Sequence, residues 1–267
     1  MPLDAEILPA GWPATAELLQ EWRYLPDDVA AGVGAGKSRR AIGSDTTRGA
    51  RMKILLTGFE PFGPHDSNPS ERIMEKLREE ARSRHPIHLF TAVLPTQYGA
   101  AGTQIRRLIR RIRPAAVVCL GLAASRDTIS LERAALNLDD DLLPDTAGEV
   151  RRVRLILRNG PAAYWSTLPL ERMRQALERR GIPSSLSNHA GTYVCNHVFY
   201  VARQEIEKIG SRARCGLIHV PGLRRGARAE ARRGIRLRRM VEAVECCLGV
   251  LCAPRSSTDD PEQSRKS

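Results

Sequence analysis

The chain has 267 residues, 42% of them hydrophobic and only 4% aromatic, which suffices for one full-sized domain whose core is mainly aliphatic. Its formal net charge is +12, but only five of the 42 basic residues are lysine, and many of the arginines lie among alanine and glycine. No apolar run reaches the roughly 18–20 residues that a membrane-spanning helix requires, and the opening "MPLDAEILPAGW" lacks the basic-then-apolar order of a secretory signal.

In chain order, residues 1–51 read as an N-terminal extension, partly flexible. "PATAELLQEW" can form one short helix, and a Gly-, Ser- and Thr-rich charged linker follows. Within it, "GVGAGKS" (32–38) imitates a phosphate-binding loop. Ala31 stands where the pattern needs glycine and no hydrophobic strand precedes it, so no nucleotide site is expected. Met52 offers a second start. The compact part begins at "KILLTGF" (53–59), a short apolar strand. "PSERIMEKLREEA" reads as a helix, with Ser70 as a candidate cap. "HLFTAVLP" (88–95) is the next strand. "AAGTQIRRLIRRI" places Ile105, Leu108, Ile109 and Ile112 at helical spacing. "AAVVCLGL" (115–122) is a buried strand. Helices follow at 169–181 and from near Cys195, where Val198, Ala202, Ile206 and Ile209 form an inner stripe. The strand "CGLIHVP" (215–221) and a last helix within 234–252 complete the domain. Strands alternating with helices of this length predict a single α/β domain over 52–252, with a largely parallel twisted sheet flanked by helices, phosphorylase/hydrolase-like in its layering. Residues 253–267 read as a disordered polar tail.

In such folds ligands bind beyond the carboxyl ends of the parallel strands. Glu132 follows the strand 115–122 across the loop "AASRDTISLE". Cys195 falls at a helix start, where the positive end of the helix favours a thiolate. His219 interrupts an apolar strand. Cys195 and His219 each have an ordinary reading too: a half-buried thiol and a core histidine bonded to a carbonyl. Together the three match nucleophile, base and orienting acid. A metal is the rival use of Cys195, His197 and His189. The paired spacing of zinc ligands is absent, so His189 reads as a loop residue and His197 as a helix-surface residue.

Four stretches are more specific. "LLTGFEPFGPHDSNPS" (55–70), "LERAALNL" (131–138), "NGPAAYWSTLP" (159–169) and "AGTYVCNHVFY" (190–200) with "GLIHVP" (216–221) resemble, in order and spacing, the signatures of pyroglutamyl peptidase type I, also called pyrrolidone-carboxylate peptidase, a cysteine peptidase family. The likeness runs over roughly 53–252. It implies Cys195 as nucleophile, His219 as general base and acid, and Glu132 as third member. It also implies Phe59 and Phe62 as walls of the pyrrolidone pocket and Asn68 as its organiser. The implied reaction hydrolyses the amide after an N-terminal 5-oxoproline through a thioester, with no cofactor or metal.

Two segments depart from the family pattern. Leu122 stands where a glutamine is usual, with Arg126 retained beyond it at the pocket edge, and "GLRRGARAE" replaces the usual segment after "HVP". These departures motivate an alternative, a catalytically weak protein that binds 5-oxoproline or modified N-termini. The arginine block 223–240 motivates a polyanion-binding one, but it lacks interleaved aromatics. The expected partners are peptides with N-terminal pyroglutamate and further copies of the chain, not nucleic acid or membrane. The six cysteines, without a C-x-x-C pair, are expected free in the cytoplasm.

Overall fold

A computed structural model describes residues 51–63, 67–80, 87–223 and 234–253. Most of the N-terminal extension, its "GVGAGKS" stretch, most of the basic loop after "HVP" and nearly all of the polar tail lie outside the described residues.

Among the described residues thirteen elements follow in order: β1 (Met52–Phe59), α1 (Pro69–Glu80), β2 (Ile87–Leu94), α2 (Tyr98–Ile112), β3 (Ala116–Leu122), β4 (Ile129–Glu132), β5 (Ala134–Leu136), β6 (Ala163–Trp165), α3 (Leu170–Arg179), β7 (Ser184–Ser187), α4 (Val194–Lys208), β8 (Arg214–Val220) and α5 (Leu237–Cys252). Six strands form one sheet in the order β2-β1-β3-β8-β4-β7, and β5 pairs with β6 in a two-stranded sheet. β1, β2, β3 and β8 are parallel to one another, whereas β4 runs antiparallel to β8 and carries β7 parallel to itself. The sheet is therefore mixed but mostly parallel, and its long central strands are buried on both faces, as their continuous apolar runs require.

Strand alternation divides the core into two layers. Ile54, Leu56, Val118, Leu120, Ile218 and Val220 face α1, α3 and α5 in one large apolar cluster. The alternate residues Leu55, Cys119, Gly121, Leu217 and His219 face the other side, where α4 packs against β3, β8 and α2. Lying between α2 and the sheet, α4 is buried without interruption from Val194 to Ala202. Its apolar face is thus wider than the stripe read from sequence, while Ile209, expected in that stripe, is 40% exposed just past the helix end.

Local rules account for the entries to the elements. Asn68, not Ser70, caps α1: its Oδ1 accepts the Ser70 N–H at 3.1 Å, with Pro69 in the first helical position. The Ser70 hydroxyl is turned back, donating to Asn68 Oδ1 and accepting the Phe59 N–H. Four short strands, β4 to β7, escaped the sequence reading. β4 lies inside the stretch taken as a loop, because four residues are too few to display a period.

Candidate active site

β8 delivers His219, and the reversed β4 delivers a carboxylate to it. Ser130 is the register partner of His219, and Glu132, two residues on, shares its face of the sheet. The His219 Nδ1–Glu132 Oε1 distance is 2.7 Å. This bond leaves Nε2 directed away from Glu132. Both residues are buried, Glu132 completely.

Cys195 arrives from above, in the first turn of α4. The meeting point is over Gly121 of β3. A Cβ built on Gly121 would lie 2.9 Å from Cys195 Sγ and 2.9 Å from His219 Nε2. Sulfur and nitrogen are therefore within 5.8 Å of each other, both being 2.9 Å from that single point. Any side chain at position 121 would collide with both. Glycine here is a matter of space, and nothing in the sequence reading singled it out.

The first turn of α4 is fixed from outside the helix. Asn196, fully buried, donates from Nδ2 to the carbonyls of Leu136 and Leu138 and accepts the Leu136 N–H. The Thr192 hydroxyl donates to Asp140 O, Asp140 N–H donates to Thr192 O, and the Tyr193 hydroxyl donates to Pro144 O. The first intrahelical bond runs from His197 N–H to Tyr193 O. The amides of the first turn thus have no partner within the helix and can receive an anion.

Electrostatics correct one expectation. A thiol at a helix start was expected to ionise readily. Burial instead pushes Cys195 up to about 12, with Cys119 and Glu132 adding to the push and the residue's own backbone N–H opposing it. Burial thus favours the neutral thiol at this point. Burial also raises Glu132, but the His219 imidazole, the Ser187 hydroxyl and the Arg126 guanidinium outweigh it and hold the carboxyl below its usual range.

The remaining expected residues divide. Phe59, buried at the end of β1, and the half-buried Phe62 flank the loop that Asn68 fastens through Nδ2 to Glu60 O at 3.1 Å. The Phe62 ring lies 5.8 Å from that of Tyr193, two residues before Cys195. Leu122 pairs with Val220, and alternation assigns it to the face opposite Gly121, away from the thiol. Arg126 lies against Glu132 Oε1. His197 is not on the helix surface: it is buried, with Nδ1 2.9 Å from Asp139 Oδ2, and Arg151 donates to the same carboxylate at 2.8 Å. His189 is an exposed loop residue whose Nδ1 accepts the Gly191 N–H. Among the described residues, no group of three or more His, Cys, Asp or Glu is placed to hold a metal ion.

A buried thiol, an imidazole and a carboxylate meeting over one sheet end belong to the chemistry of thiol-dependent hydrolases. Comparison with known proteins narrows the class. The family described as pyroglutamyl peptidase matches residues 52–252. A pyrrolidone-carboxylate peptidase of Bacillus cereus (strain AH820) is 37% identical over 170 residues, covering 64% of this chain and 78% of that protein. The crystal structure of pyroglutamyl peptidase I from Bacillus amyloliquefaciens superposes with a TM-score of 0.70 at 32% identity, over 75% of this chain and 95% of that one. Pyrrolidone carboxyl peptidase from Pyrococcus furiosus gives 0.69 at 33% identity, over 74% and 97%. The chain belongs to the pyroglutamyl peptidase family. It is a cysteine-type hydrolase that cleaves the amide bond after an N-terminal pyroglutamyl residue.

Proposed function

We propose that Cys195, His219 and Glu132 carry this hydrolysis, in a pocket walled by Phe59 and Phe62. The observation that supports it best is the shared point above Gly121, 2.9 Å from both Sγ and Nε2. The 5-oxoproline ring has an apolar body with one N–H and one carbonyl, which suits a pocket with two phenylalanines and few polar groups. Asn68 organises that pocket by tying the loop after Phe59 to the start of α1.

The reaction starts from the neutral pair. As Cys195 Sγ attacks the carbonyl, its proton passes to His219 Nε2, and Glu132 stabilises the imidazolium through Nδ1. The charge developing on the carbonyl oxygen is received by the free amides of the first turn of α4. The C–N bond breaks as Nε2 returns its proton to the departing amine. Water then attacks the thioester, giving its proton to Nε2. The C–S bond breaks, the thiol is restored, and 5-oxoproline leaves. Hydrolysis of a pyroglutamyl amide bearing a reporter amine, with Cys195→Ala as control, tests the assignment. Turnover by Cys195→Ala equal to wild type would refute it.

We further infer a cytoplasmic homo-oligomer whose catalytic domain is residues 52–252. All six cysteines are free, which suits a reducing compartment. Among the described residues no helix is long and apolar enough to cross a membrane. Leu142 (75%), Val153 (75%) and Leu155 (54%) are exposed on one surface excursion, where a second copy can cover them. Sedimentation of wild type beside Leu142→Ser/Val153→Ser tests that association: an unchanged oligomer would remove these residues from the interface.

A further inference from the structure

Glu132 Oε1 serves two donors. It faces His219 Nδ1 on one side and Arg126 Nη1 on the other. The carboxylate is fully buried, whereas the Arg126 side chain is 32% exposed and reaches in from the rim. Its backbone is equally tied to this corner. Arg126 N–H donates to Ala123 O, and Ala123 N–H donates to the carbonyl of Val220, the residue after His219. The turn that carries the guanidinium thus hangs from the strand that carries the imidazole. We propose that Arg126 is a positioning residue that acts through Glu132 on His219, and not a contact for the substrate. This rests on the hydrolytic reading above.

Two physical consequences follow. A guanidinium on Oε1 fixes the carboxylate in the plane where it meets Nδ1 and keeps it ionised. The same positive charge opposes the formation of a second one on the imidazole a few ångströms away. Among the described residues, the groups that act on this pair include Arg126 from the turn after β3, Cys119 from β3, the Ser187 hydroxyl from β7 and the Cys195 thiol from α4. Arg126 is the one permanent cation among them. It therefore disfavours a thiolate–imidazolium pair before a carbonyl is in place to take the negative charge onward.

The test separates this role from substrate binding and from mere scaffolding. Arg126→Gln retains a donor but removes the charge, and Arg126→Lys retains the charge. Initial rates with a pyroglutamyl reporter amide give kcat and KM against pH. Iodoacetamide alkylation of Cys195 gives a second pH profile that needs no turnover. Removing a cation raises the proton affinity of every neighbour, so Arg126→Gln moves both profiles to higher pH by about one unit. Its KM changes less than about twofold, as expected when no ground-state contact with the substrate is lost. Arg126→Lys restores the wild-type profiles. A raised KM with unmoved profiles in Arg126→Gln makes Arg126 a substrate contact and overturns the proposal. A lowered kcat with unmoved profiles in both variants makes it scaffolding and does the same. Failure of the wild type to hydrolyse any pyroglutamyl amide would instead defeat the hydrolytic reading, while the alkylation profiles would still decide the role of Arg126.

Discussion

Among the described residues, two imidazole–carboxylate–guanidinium groupings stand out, His219–Glu132–Arg126 and His197–Asp139–Arg151. In both, the carboxylate is fully buried and Nδ1 faces it. They differ in what the other ring nitrogen meets. Over Gly121, His219 Nε2 shares its space with the Cys195 sulfur. Over Gly102 of α2, His197 Nε2 abuts a helix backbone, 2.9 Å from where a Cβ would be. Tyr98 closes that site further, its ring edge-on to His197 and beneath the Arg151 guanidinium. On the proposed assignment, the same three side-chain types make a reactive group where a thiol adjoins, and a brace where backbone and aromatic rings adjoin. Composition of a cluster does not define its chemistry; the occupant of the fourth position does.

The comparison breaks most directly at the two histidines. His219→Ala should lower kcat by about 10³-fold, within the range that general acid–base groups contribute. His197→Ala should change turnover per folded molecule about twofold at most, its effect falling on stability instead. Equal losses of turnover would erase the distinction drawn between the sites. Gly121→Ala comes next. The added methyl overlaps both Sγ and Nε2, so a drop of about 10²-fold is expected from displaced reacting atoms. Circular dichroism should remain that of wild type, and undiminished turnover would show that the thiol and imidazole meet elsewhere.

Asp139→Ala probes the brace. It strips two partners, Arg151 and His197, of their buried carboxylate. A loss of about 3 kcal/mol in urea denaturation is expected for breaking such a pair, with kcat/KM of the remaining folded enzyme little altered. A smaller effect concerns pH. Glu132 is held below its reference value of 4.5 in the folded protein. Its contribution to stability is therefore present above that value and fades as pH falls through the lower folded one. Glu132→Gln should flatten the acid decline of the denaturation midpoint below pH 4.5, and an identical decline would place the acid-sensitive carboxylate elsewhere. The smallest change is expected from trimming the chain to residues 52–252, which should retain most turnover in the reporter assay. A trimmed chain that does not fold would show that the flanks contribute to the core.

Much of this was legible in the sequence because it is local. The apolar runs of β1, β3 and β8 and the spacing within α2 carry their own period, and Cys195, Glu132 and His219 lie in stretches recognisable by family resemblance. The brace was not legible. Asp139 and Arg151 meet within one excursion, through backbone bonds of Asp139 to Arg154 and of Asp141 to Arg151, but His197 joins them from far along the chain, brought in by the two-sided burial of α4. The run "VCNHVFYVA", apolar almost throughout, was the available sign that His197 is enclosed. Gly121 and Asn196 were missed for a related reason: one matters for an absent side chain, the other for bonds to the backbone of a distant strand. Arg126 was placed at the pocket edge by family resemblance, and its ion pair with Glu132 was not legible because Glu132 comes from a strand too short to read.

The surface excursion between β5 and β6 is held by ion pairs of unequal wetness. Arg152–Asp140 and Arg154–Glu149 stand largely in solvent, whereas Arg151–Asp139 is enclosed. Asp140 also holds the N–H of Val153, a β-branched residue kept at φ 45°. Mobile ions screen the first two pairs strongly and the third hardly at all, since the Debye length contracts from about 10 Å to about 3 Å between 0.1 M and 1 M salt. Within this excursion ionic strength therefore acts as a dial: it loosens the tip that carries Val153 and leaves the inner brace beneath α4, and with it the seat of Cys195, where they were.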